Sequence, residues 1–183
     1  MEPKKTEIIE KAAKIIQDTG LEGLTVSNLA TELEINESQL YKHLTKDDDI
    51  VLILLLGFET DIIQAVNELA NNVHSPETEL KLLFKRIYLL FLQKPYYLSI
   101  IFDKNLKERD ESIKKSFVRI RNVAESYLTL IIDKGKSEYT FKTNVPTRIL
   151  VDQMLSSFRI LMKDEQSMNE MVLQLKTLRK LNN

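Results

Sequence analysis

From Leu24 to Ile50 the chain reads L-T-V-S-N-L-A-T-E-L-E-I-N-E-S-Q-L-Y-K-H-L-T-K-D-D-D-I. Two short amphipathic patterns stand three residues apart, and a longer apolar pattern follows at once. In the first, Leu29, Ala30 and Leu33 fall three and four apart and so share one face of a helix that the Thr25 hydroxyl can cap. In the second, Ile35, Leu40 and Leu44 are placed to pack against that face. Glu34, Ile35 and Asn36 form the turn. Asn36 and Gln39 have the spacing of a capping box, in which each side chain satisfies a backbone donor at the helix start, so the second helix is expected to begin at Glu37. This is the layout of a helix-turn-helix.

In that motif the first turn of the second helix, here Glu37, Ser38 and Gln39, meets base edges in a major groove while the first helix crosses the sugar-phosphate backbone. Gln39 can read an adenine edge or serve as the capping partner of Asn36. Glu37 can accept from cytosine N4, and an acid in a first turn is also favoured by the helix dipole alone. Tyr41, Lys42 and His43 follow one turn on, where a phenol, an ammonium and an imidazole can donate to phosphate oxygens. For Tyr41 the competing reading is a core tyrosine. Asp47, Asp48 and Asp49 invite a metal reading, but contiguous acids at a helix start serve the dipole and point in different directions, so no metal is expected.

Ala12, Ala13, Ile15 and Ile16 precede Gly20, and Leu24-Thr25, Leu29-Ala30, Ile35 and Leu40-Tyr41-Lys42-His43 follow at fixed intervals. With these residues the segment from about Ile8 to Phe58 resembles the DNA-binding domain of TetR-family transcriptional regulators. The chain departs from the family pattern at Glu34, where the turn usually has a glycine, at Leu44, which replaces an aromatic, and at Asp47, which replaces a lysine for phosphate. Lys46 is its substitute. The resemblance implies a double-stranded DNA operator contacted by Thr25, Ser27, Glu37, Ser38, Gln39, Tyr41, Lys42, His43 and Lys46. It also implies a ligand-released repressor whose remaining helices enclose a cavity for a small, largely apolar inducer. The aromatics Phe84, Tyr88, Phe91, Tyr96, Tyr97, Phe102, Phe117 and Tyr127 are candidates for that cavity, and the simpler assignment for each is core.

Only four glycines and four prolines, with persistent three-four periodicity, predict an all-α chain. The expected division is a DNA-binding domain over 1–46 and a helical regulatory and dimerisation domain over 47–183, with a long connecting helix over 47–72. Further helices are expected from Ser75-Pro76 to Pro95, from Tyr96 to about Phe102, from about Glu108 to Asp133 with Gly135 closing it, from about Pro146 to Lys163, and from Ser167 to Leu181. Val151, Met154, Leu155, Phe158 and Leu161 on one, and Met171, Val172, Leu175 and Leu178 on the other, make stripes too wide for a lone hairpin. They predict a homodimer closed as a four-helix bundle.

Charge is unevenly placed. The first 72 residues hold six Lys/Arg against fourteen Asp/Glu, and the remainder twenty against thirteen. That is the wrong way round for a DNA-binding protein. It supports a rival expectation, a TetR-shaped binding protein with little DNA affinity that acts through a protein or small-molecule partner. Without cysteine, disulfides and thiolate chemistry are excluded. No nucleophile-base pair or phosphate-binding glycine loop is seen, so neither catalysis nor a cofactor is expected. The longest apolar run, Ile50 to Leu56, is far short of the roughly 20 residues of a membrane span, and a cytoplasmic protein is expected.

Overall fold

A computed structural model of the chain describes residues 3–161 and 165–177. Regular structure among them is all helical. The first helix, α1 (Lys5–Thr19), starts where the Lys4 amide donates to Glu7 Oε2 at 2.8 Å and stops at Gly20, whose φ of 76° only glycine adopts without cost. After a 3-10 turn at Leu21–Gly23 come α2 (Val26–Glu32) and α3 (Glu37–Leu40). The long α4 (Asp47–Ala70) and α5 (Pro76–Gln93) follow, the latter opened by the Ser75 hydroxyl, which accepts from the Thr78 amide at 3.3 Å. Next are α6 (Tyr96–Ile101), α7 (Leu106–Arg109), α8 (Glu111–Ser137), α9 (Thr147–Ser156), α10 (Phe158–Leu161) and α11 (Glu165–Lys176). No helix among the described residues is long and apolar enough to cross a membrane.

Two compact units divide the chain differently from a cut after residue 46. One takes in the described residues up to Asp61 together with Leu90–Ile120; the other takes in Ile62–Leu89 and the described residues from Arg121 onward. The helices α4, α5 and α8 each contribute residues to both units, so the division is one of packing and not of chain order.

In the first unit, α1 packs on α2 and on α6. Ile8, Ala12, Ile15 and Ile16 of α1 are buried, and Leu29 of α2 and Leu40 of α3 are fully so. Phe58, Phe91, Tyr96 and Tyr97 continue that core, with Phe58 and Tyr97 rings 4.8 Å apart and Tyr96 and Tyr97 4.5 Å apart. Tyr97 donates to Asp61 Oδ2 at 2.8 Å, and Lys94 reaches the same oxygen at 2.5 Å. Burial pushes the Tyr97 phenol far above its ordinary value.

In the second unit the core comprises Leu80, Leu83, Phe84 and Ile87 from α5, Tyr127, Leu128, Ile131 and Ile132 from α8, and residues of α9 to α11. Several expected boundaries shift. Gly135 does not close α8, which runs on to Ser137; a Cβ at Gly135 would stand 2.0 Å from the Phe141 ring, so glycine is there for the close approach. The turn is made two residues past the helix end by Tyr139, at φ 58°. The expected start at Glu108 is a separate turn, α7, because Asp110 is extended at φ −153° and interrupts it. Likewise the helix from Pro146 breaks at Ser157, and its expected end at Lys163 lies outside the described residues.

Candidate nucleic-acid interface

Each short helix of the motif is closed by its own side chains. Thr25 Oγ1 accepts from the Asn28 amide at 3.1 Å and starts α2. At the other end the Glu34 amide donates to Thr31 O and the Ile35 amide to Ala30 O, both at 3.1 Å, the two bonds of a Schellman close. That close needs a left-handed residue, and Glu34 supplies it at φ 56°, a conformation costing a non-glycine residue about 1–2 kcal/mol. The capping box forms as the spacing predicts: Asn36 Oδ1 accepts from the Ser38 amide at 2.9 Å, and Gln39 Oε1 from the Asn36 amide at 3.1 Å. A bidentate adenine contact needs an amide oxygen as well as an NH2, so Gln39 can make one only by opening the box.

Leu40 and Leu44 are buried, and helical bonds run past α3, with the Tyr41 amide on Glu37 O and the Leu44 amide on Leu40 O, each at 2.9 Å. This fixes the opposite side of the turn outward. Ser27, Glu37, Ser38, Lys42 and His43 are exposed, and Tyr41 is 52% exposed, which removes the core reading for it. Neither the Tyr41 hydroxyl nor the Lys42 ammonium is engaged by another side chain among the described residues. Thr25 and Gln39 are half-buried in their capping roles.

The acids at the start of α4 are each used differently. Asp47 Oδ1 accepts from the Val26 amide at 2.7 Å, so it ties the start of α4 to the first residue of α2. An acid where the family pattern has a phosphate-binding lysine is thus a structural tether. Asp48 lies 3.7 Å from Arg109 Nε. Asp49 Oδ2 accepts from the Thr45 amide at 2.6 Å and its hydroxyl at 2.7 Å. Among the described residues no group of three His, Cys, Asp or Glu could hold a metal. Lys46, the expected substitute for the missing lysine, is exposed but paired with Asp110. Sequence reading missed this pair and the Asp47 tether. The Asp-Glu-Ser-Ile run at 110–113 is a helix-start signal that could have marked Asp110, but not its partner.

Within the second unit a narrow void of about 30 Å³ is lined by Ile62, Val66, Leu83, Phe84, Ile87, Ala124, Tyr127, Leu128, Met154, Leu155 and Phe158. Of the aromatics expected at a cavity, Phe84 and Tyr127 line it. Tyr88 is exposed and Phe102 half-buried, while Phe91, Tyr96, Tyr97 and Phe117 belong to the core of the first unit. Behind the void Tyr127 donates to Glu79 Oε1 at 2.7 Å, and Glu79 is itself buried, with Lys134 at 3.5 Å. Burial chiefly, and Glu79 beside it, push the Tyr127 phenol up.

The residues expected at a dimer interface are mostly consumed inside the chain. Val151, Met154, Leu161, Met171, Val172 and Leu175 are buried, and Leu155 and Phe158 are half-buried. Their covering comes from the same unit: Phe84 and Phe158 rings stand 6.1 Å apart, Leu175 O accepts from the Thr143 amide at 3.1 Å, and Lys176 pairs with Glu77 at 2.7 Å. The width of the stripes therefore does not by itself require a second chain. Leu178 lies outside the described residues. Ile149, Ile160 and Leu173 on the same three helices are more than half exposed.

No protein-family model matches the sequence, and no curated protein matches it. Solved structures do match. A TetR-family regulator, PfmR of Thermus thermophilus, is 19% identical over 92% of this chain and 97% of its own, with a TM-score of 0.76. The fatty acid degradation regulator FadR of Bacillus halodurans is 16% identical over 100% and 98%, with a TM-score of 0.77. AibR, solved with isovaleryl coenzyme A and operator DNA, is 16% identical over 94% and 98%, with a TM-score of 0.72. Along essentially its whole length the chain has the all-helical fold of the TetR-family regulators, an N-terminal helix-turn-helix followed by a larger helical part.

Proposed function

We propose that the chain is a DNA-binding transcriptional regulator of the ligand-released kind, acting as a cytoplasmic homodimer. The observation that carries it is the turn after α3: Leu40 and Leu44 are locked inside while Tyr41 and Lys42 project outward without a partner side chain among the described residues. Phosphate contacts from these side chains and from Lys46 would set the position on DNA, and the first turn of α3 would face the bases. The direct test is binding of labelled duplex from upstream of the protein's own gene. Tyr41→Phe and Lys42→Ala are expected to weaken binding to every sequence alike, whereas Ser38→Ala or Gln39→Ala alters preference among sequences.

Homodimerisation rests on Ile149, Ile160 and Leu173, apolar side chains left in solvent on α9, α10 and α11. Sedimentation of Ile160→Glu/Leu173→Glu as a monomer against a wild-type dimer would support it. The inducer is proposed to be a small, largely apolar molecule, since the void's lining is aliphatic and aromatic; the isovaleryl group of the coenzyme A thioester in the AibR complex has the same apolar character. A void of about 30 Å³ is far below the few hundred Å³ of an ordinary ligand pocket, so the walls must part to admit the inducer. The break at Ser157 before Phe158 gives one wall a place to move. A ligand that prefers the opened form then shifts the population, and only by that preference.

The rival, a TetR-shaped protein with little DNA affinity, is favoured by the acid excess of the first 72 residues and by the capture of Lys46. Failure of the wild-type protein to bind any duplex at low salt decides for it.

A further inference from the structure

Lys46 stands immediately before α4, and its ammonium is held by Asp110, a residue 64 positions on in the same unit. Asp110 is itself built in. One of its oxygens caps α8, accepting from the Ser112 amide at 2.7 Å and the Ile113 amide at 3.4 Å, and the other meets Lys46. The residues before it are anchored by Leu106, which is fully buried, and by Asp103, whose Oδ1 accepts from the Asn105 and Leu106 amides at 2.8 and 2.7 Å. The other carboxylates acting on Lys46 are Asp48, which faces Arg109, and Asp49, whose Oδ2 accepts from the Thr45 hydroxyl and from the Lys46 amide. The Lys46 hydrogen bond and the capping amides together pull the Asp110 carboxyl down to about 2, so it is ionised at neutral pH.

We propose that Asp110 is an internal competitor for DNA phosphate: it occupies Lys46 in the free chain and yields it to the duplex, and so sets both the affinity for DNA and its salt dependence. This rests on the DNA-binding reading of the helix-turn-helix. A carboxylate and a phosphate oxygen make the same charge-assisted demand on an ammonium, and a pair whose ammonium stays open to solvent is weak enough for a polyanion to displace. Lys46 therefore exchanges one anion for another when DNA arrives. A lysine that starts unpaired would instead contribute one more released counterion.

Asp110→Asn separates the charge from the cap, because asparagine caps a helix as well as aspartate does. Asp110→Ser, another capping residue, guards against an effect peculiar to the amide. Binding of the upstream duplex is read by fluorescence anisotropy between about 50 and 200 mM salt. Either variant is expected to bind about three- to fivefold more tightly per chain at low salt and to steepen the log-log salt slope by nearly one unit per chain. In a Lys46→Gln background the same substitutions leave affinity and slope unchanged, since the coupling runs through Lys46. Two results overturn the proposal while sparing the DNA-binding reading: wild type binds but the Asp110 variants match it, or they tighten binding equally with and without Lys46. Absence of binding by every variant at low salt overturns both.

Discussion

Between Thr25 and Asp49 the side chains that close the short helices act on backbone two to four residues away, as Thr25, Asn36, Gln39 and Asp49 all do. In the second unit the comparable polar group is buried and long-range: Tyr127 reaches Glu79 across 48 residues, and Lys134 reaches it across 55. The contrast explains why one region declares its chemistry and the other conceals it. Short helices cannot bury themselves, so their ends must be closed by local, recognisable residues, and the positions between the caps are left to solvent and to a partner. Long helices are held by apolar faces on which a core residue and a cavity-lining residue are the same residue type.

The sharpest way to break this comparison is to attack burial in the small motif. Leu40→Ala, at a fully buried site, is expected to cost about 2–5 kcal/mol and to abolish DNA binding with it. A denaturant midpoint unchanged from wild type would mean that the motif's helices do not depend on this contact. In the second unit the equivalent probe adds volume. Gly135→Ala would ordinarily strengthen a helix, but the Phe141 ring against the Cα is expected to reverse the sign and destabilise by about 1–3 kcal/mol. Stabilisation instead would show that the Phe141 ring moves aside freely.

These two sites also mark how far the sequence could be read. The capping box, the turn at Glu34 and the stop at Gly20 follow from residue types whose effect is local, and the structure places all three as expected. Gly135 was misread because a glycine near a helix end signals a C-cap unless a distant ring needs its space, and Phe141 is visible as that ring only in three dimensions. The apolar stripes of α9 and α11 carried no mark separating an inward face from a partner's face, so residues such as Met154 and Val172 proved to be core. Aliphatic lining residues such as Ile62 and Leu83 were likewise indistinguishable from core by type. Lys46 was assigned to phosphate and Asp47 to the place of a phosphate-binding lysine, yet Asp47 is bonded to Val26 and Lys46 to Asp110, partners that periodicity cannot name.

Smaller effects refine the local side of the contrast. Glu34→Gly removes a left-handed non-glycine residue and is expected to raise stability by up to about 1 kcal/mol, the strain relieved less the chain entropy added. A loss of stability would show that the Glu34 side chain contributes more than its backbone costs. Asp110 gives a pH signature: its folded value of about 2 lies below the ordinary 3.8, so its contribution is complete above about 4 and is lost as the pH falls from there through about 2. Carboxyl titration by NMR should place its midpoint well below that of an exposed aspartate, and Lys46→Gln should move it upward.

The central claim, that the outward turn carrying Tyr41 and Lys42 is a DNA surface, is tested most directly by a salt titration. Wild-type protein and the Tyr41→Phe/Lys42→Ala variant are compared on labelled upstream duplex and on an unrelated duplex. For wild type, log affinity should fall linearly with log salt on both duplexes, and the upstream duplex should bind more tightly. The variant should weaken both equally and show a shallower slope by about one unit per chain. Wild-type binding that is absent at low salt, or affinity and slope unmoved by the double substitution, would contradict the claim.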